Sequence, residues 1–140
     1  MQKLKKGIIN SLVKILATID TSKMSSESRV AIVRNFIAMK LISNEISTLE
    51  EETTKKLITD EFKELQTKEN KTDEETKKLN ELTDQINKEY IDILNTTLNE
   101  EVEVDIKIIS ESDFDKLIGE VTDLKPNQFD LIYELLVKKD

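Results

Sequence analysis

Apolar residues recur at helical spacing over most of the chain, and in one segment only does their period drop to two. Ile9, Leu12, Val13, Leu16 and Ile19 form a single stripe that predicts a helix over about residues 8 to 19, with Gly7 separating it from a lysine-rich lead. After the polar run DTSKMSSES, where Ser25 or Ser26 is placed to cap a helix, Val30, Val33, Ile37 and Leu41 resume the pattern. Ile42, Ile46, Leu49, Leu57, Ile58, Phe62 and Leu65 extend it for about forty residues without a glycine or proline, so one long second helix is expected. Ile32, Phe36, Ala38 and Met39 give its early part a second apolar face, whereas its later part narrows to one seam flanked by charge.

The stretch NKTDEE then reads as a turn, with Thr72 as N-cap and Glu75 three residues on to complete a capping box. A third helix is expected over about residues 73 to 98, its seam formed by Leu79, Leu82, Ile86, Tyr90, Ile93, Leu94 and Leu98. Folding back at residues 70 to 72 brings this seam against that of the second helix, as an antiparallel coiled-coil hairpin requires.

Residues 100–109, EEVEVDIKII, alternate charged and apolar side chains and predict a strand. Its mate within the chain is the lead QKLKK, which would set lysines opposite Glu and Asp in a two-stranded ribbon; one edge would stay open to a strand from another chain. Ser110 or Ser112 caps a short helix carrying Phe114, Leu117 and Ile118, ended by Gly119 or near Thr122. Pro126 suits the first turn of a last helix that buries Phe129, Ile132, Tyr133, Leu136 and Val137. The expected fold is therefore mainly α: a long antiparallel helical hairpin, a coiled-coil-like arm, on a small α+β base with one or two short strands. A single domain is expected over 1–140, comprising a lead and first helix (1–24), the hairpin (25–99), and the strand with two C-terminal helices (100–140).

Composition narrows the chemistry more than the shape. The chain has 140 residues, 36% of them charged, with a net charge of −8 and no histidine or cysteine. Thiolate nucleophiles, imidazole acid–base catalysis, disulfides and the usual zinc sites are thereby excluded. An acidic chain does not attract phosphate backbones or anionic lipid overall, so nucleic acid and membrane are not expected partners. Lys3, Lys5 and Lys6 are the one basic cluster and read as a solvated terminal segment before a phosphate-contacting arm. No apolar run approaches the ~18 residues of a membrane span, and the start MQKLKKGIINSLVKILATID is amphipathic without a small-residue cleavage site, so secretion by a signal peptide is not expected.

What catalytic chemistry remains rests on carboxylates. Glu101, Glu103 and Asp105 alternate along one face of the strand, where a divalent cation has oxygen ligands to hand, but a solvated face opposite Val102, Val104, Ile106 and Ile108 accounts for them first. Asp113 and Asp115 read as acidic residues favoured at a helix start. No enzymatic activity, metal or cofactor is expected. Arg29 and Arg34, the only arginines, read as salt bridges to the acidic C-terminal half, with a partner contact as the alternative. Candidate partner-binding residues are therefore Val102, Val104, Ile106 and Ile108 along the strand, and Arg29 and Arg34 on the second helix. The partner is expected to be another protein or a second copy of the chain.

The segments KKGIINSLVKIL, SSESRVAIVRNF, EYIDILNTTLNEEVEVDI and QFDLIYELL, in this order, resemble a family of small bacteriophage proteins. The resemblance implies a phage origin and an undefined role, and it supplies no catalytic residues. The expected role is that of a non-enzymatic interaction protein, a virion-associated or assembly component found in the host cytoplasm during infection or in the virion. Regulation or inhibition of a host protein is the alternative.

Overall fold

The computed structural model describes residues 1–137. Its elements in chain order are β1 (Gln2–Lys5), α1 (Lys6–Leu16), α2 (Ser26–Leu57), α3 (Asp60–Thr67), α4 (Asp73–Leu98), β2 (Glu101–Val104), α5 (Glu111–Glu120) and α6 (Pro126–Leu136). The protein is mainly α-helical, with one two-stranded antiparallel sheet.

β1 and β2 form the two-stranded ribbon, antiparallel, with Lys3 opposite Glu103, Leu4 opposite Val102, and Lys5 opposite Glu101. The pairing runs directly into α1, because the amide of Lys6 donates to the Glu100 carbonyl at 2.9 Å and the Lys6 ammonium meets the Glu100 carboxylate at 2.8 Å. That tether starts α1 at Lys6 and puts Gly7 inside its first turn, where the sequence reading had a separator. Only Glu101–Val104 of the ten-residue alternating run is strand.

The expected forty-residue helix is broken. α2 ends at Leu57, and Thr59, in extended conformation, starts α3 by accepting a hydrogen bond from the Phe62 amide at 3.2 Å. Asp60 and Glu61 follow in the first turn, where the helix dipole favours negative charge. Thr72 and Glu75 form the expected reciprocal capping box at the start of α4, and Asn70 takes a left-handed conformation (φ 57°) in the turn before it.

The chain divides into two compact units, residues 1–44 with 100–140 and residues 45–99, so α2 contributes its first half to one and its second half to the other. The first division falls at 44/45, inside α2, and the second at 99/100, between α4 and β2. In unit 45–99 a helical hairpin forms, with α3 against α4. Lys68 of the turn pairs with Glu75, and Lys78 of α4 with Glu61 of α3. Its buried side chains are Ile46, Thr53, Phe62 and Leu94.

The other unit holds the larger core. Ile9, Leu12, Val13, Ile15 and Leu16 of α1, Ala31, Ile32 and Met39 of α2, Val104 and Ile109, and Phe114, Leu117, Ile132, Leu136 and Val137 form one apolar cluster. Of the two serines placed to cap α5, Ser110 does so; α5 runs through Gly119 and ends at Val121, next to Thr122, and Pro126 stands in the first turn of α6 as expected. Among the described residues no helix is long and apolar enough to cross a membrane.

Candidate functional site

The first half of α2 carries apolar residues on two opposite faces, and only one of them is covered. At 100° per residue, Ala31, Ile32, Asn35 and Met39 fall on one side, and all four are buried. Val30, Val33, Ile37 and Leu41 line the other, and they are 54%, 46%, 62% and 71% exposed. By period alone the second row continues the apolar pattern of α2; in the structure it faces outward. Together these four side chains bare an apolar strip on the order of 400 Å², a size at which an exposed patch on a single chain is often a binding surface.

Beside the strip the segment following β2 forms a wall. Arg29, Val30, Val33, Arg34, Ile37 and Ala38 of α2 with Asp105 and Lys107 enclose a groove of about 720 Å³. That wall is fixed in place by Asn35, whose side chain is fully buried. Its Nδ2 donates to the Lys107 carbonyl at 2.7 Å and its Oδ1 accepts from the Lys107 amide at 2.8 Å, so one side-chain amide replaces a missing strand neighbour. Two residues on, the Ile109 amide donates to the Leu136 carbonyl at 2.6 Å, and Ile109 bridges Val137 in parallel sense. The stretch past Val104 is thus satisfied by a side chain and by the end of α6.

The groove's charge is local and positive. Arg29 and Arg34 are exposed and, among the described residues, enter no salt bridge, so the expected ion pairs to the C-terminal half do not form there. Lys107 pairs with Asp105 at 2.8 Å, and this ammonium holds the Asp105 carboxyl below the usual carboxylate range. Lys40, one turn past Phe36, lies 5.9 Å from that ring's centroid.

Of the residues singled out along the strand, Val104 is buried in the core, and Val102 and Ile106 pack partly buried against it. Their side chains serve the protein's own core; β1 pairs with Glu101–Val104, and Asn35 and the end of α6 satisfy the backbone at Lys107 and Ile109. Ile108 is half exposed, and the two arginines line the groove. The acidic face of the strand pairs with lysine: Glu103 stands opposite Lys3, and Glu101 lies 3.8 Å from the Lys3 ammonium. Among the described residues no three acidic side chains come together as a metal-binding group. The residues missed by sequence reasoning are Asn35 and the outward role of Val30, Val33, Ile37 and Leu41. The available signal was the second apolar face, since one helix edge in a small unit rarely has neighbours on both sides.

No family model, curated protein or solved structure matches the chain.

Proposed function

We infer that the protein is a non-enzymatic interaction component that docks another protein through the outward face of α2. The observation that carries this reading is the apolar row Val30, Val33, Ile37 and Leu41, exposed on a helix whose opposite face is already packed. Three of the four are β-branched, which is unfavourable for a solvated helix surface that lysine, glutamate or glutamine would serve better. Covering the row is worth roughly 10 kcal/mol in gross apolar transfer at ~25 cal/mol per Å², of which only the surplus over association and ordering costs appears as affinity. The resemblance to small bacteriophage proteins bears on origin alone, and virion structure or assembly is the setting proposed for that docking.

The test is site-specific photo-crosslinking in the bacterial cell, with a benzophenone amino acid in place of Val33 and, as control, in place of the exposed Lys77 on α4. A discrete adduct at position 33 that is absent at position 77 is the expected outcome, and a virion protein in that adduct supports assembly. A host protein in the adduct turns the role to host regulation. No adduct at position 33, or the same adducts at both positions, overturns the reading.

A further inference from the structure

We propose that the groove on α2 receives an amphipathic helix of another protein whose apolar stripe is flanked by carboxylates. The inference rests on the docking role argued above and specifies the occupant.

Shape supports a helix. Val30, Val33, Ile37 and Leu41 follow one another at steps of three, four and four, the spacing with which one helix seats in the side-chain holes of a second. They cover about 16 Å of α2 at 1.5 Å per residue, or three turns. The wall at Asp105 and Lys107 closes one side of the seat.

Charge decides what kind of helix. The chain as a whole carries −8, yet the groove is lined by Arg29, Arg34 and Lys107 against a single acid, Asp105. Screening limits the reach of the remaining acidic surface to about 8 Å at physiological salt, so at contact the rim governs. Arginine also offers a planar fork to a carboxylate, which gives such a rim directional as well as coulombic preference.

The same charges disfavour a second copy of this chain as occupant. Antiparallel self-pairing, with its two-fold axis midway between Val33 and Ile37, brings the two Arg34 side chains within about one helical turn and sets Arg29 beside Lys40 of the second copy. Parallel self-pairing in register sets Arg29 of one copy against Arg34 of the other, at the separation of five residues through which flanking charges meet across a helix pair. Either arrangement puts like charges together at the edge of the stripe. A glutamate-flanked helix meets the same arginines with opposite charge.

The experiment uses two fluorescent helical peptides with leucine at the seam positions, one flanked by glutamate and the other by lysine, titrated with the full chain and followed by anisotropy. The glutamate peptide should bind about tenfold or more tightly than the lysine peptide, and that margin should shrink between about 50 and 300 mM salt. Ile37→Glu, at an exposed position that leaves the circular dichroism spectrum unchanged, should abolish binding of both peptides. Arg29→Glu with Arg34→Glu should reverse the preference. Equal affinity for the two peptides, tighter binding of the lysine peptide, or a dimer by light scattering that Ile37→Glu dissociates would each overturn the proposal. A crosslinked partner at position 33 together with indifference to peptide charge would leave the docking role standing and remove the acidic helix.

Discussion

The hydroxyl of Ser25 donates to Oδ2 of Asp113 at 2.6 Å while accepting the Ser28 amide at 3.2 Å. One side chain thereby caps α2 and joins its start to the start of α5, where Ser110 in turn accepts the Asp113 amide at 3.1 Å. Asp113 is buried, and its carboxylate sits at two helix N-termini, where both dipoles favour negative charge. Ser25→Ala should cost about 1–2 kcal/mol, the usual worth of a cap, and Asp113→Ala about 1.5–3 kcal/mol because it removes the buried, charged acceptor of the Ser25 hydroxyl and amide. Urea unfolding of the two single variants and the double variant checks this. The double variant should lose less than the sum, since the partners are in direct contact.

Acid should release the same joint. The Ser25 hydroxyl, followed by that of Ser28, holds the Asp113 carboxyl at about 2, below its ordinary 3.8. Because the folded value is the lower one, the unfolded chain binds the proton first. The stabilisation is therefore complete above pH ~4 and is lost as pH falls towards ~2; it amounts to about 2 kcal/mol at 1.36 kcal/mol per pH unit. Glu75, held at about 2 chiefly by Lys68, titrates over the same range on the surface of the other unit. The Asp113 share is isolated by comparing the wild type with Asp113→Asn: their stability difference should narrow between pH 5 and pH ~2. A difference independent of pH would show that the carboxylate charge has no part in the joint.

Asn35 tests how the wall of the groove is held. Removing its amide with Asn35→Ala leaves the Lys107 amide and carbonyl without their partners, at an expected cost of about 2–4 kcal/mol. Asn35→Asp keeps the acceptor, loses the donor and buries a charge, so it should be no better tolerated. Hydrogen exchange separates this role from simple core packing. Lys107 should lose its amide protection in Asn35→Ala to a larger extent than amides of α1.

Much of this fold is visible in the residues themselves, wherever a local rule has a single answer. Thr72 and Pro126 announce helix starts by their own chemistry, Ser110 is one of two serines placed to do so, and the ribbon of QKLKK with the alternating run forms, its antiparallel sense set by the structure. The break at Thr59 had its signal too. The tripeptide TDE occurs at 59–61 and at 72–74, and both copies begin a helix, but the first lies within an unbroken apolar period that masks it. Periodicity identifies apolar faces without saying which of two is covered, because that depends on where distant elements land. Val102, Val104 and Ile106 turn towards the core, and only Ile108 of the four candidate strand residues is half exposed. A side-chain amide 72 positions away in sequence supplies the pairing that the segment lacked, and no local pattern encodes that.

The two faces of α2 can be told apart by substitution alone. Met39 is fully buried and Ile37, two residues earlier, is 62% exposed, though both are large apolar side chains on one helix. Met39→Ala removes packed atoms and leaves a cavity, so a loss of about 2–5 kcal/mol is expected. Ile37→Ala removes atoms that already touch water and improves helix propensity, so its effect on unfolding should lie within about 0.5 kcal/mol of zero. The order reverses for association, since a row of apolar residues presented to a partner loses contact area with Ile37→Ala and none directly with Met39→Ala. Thermal melts of both variants, set beside crosslinking yield at position 33, give the two readouts. A large loss of stability with Ile37→Ala would mean that the outward row is packed by the protein itself, and the docking face would have to be sought elsewhere.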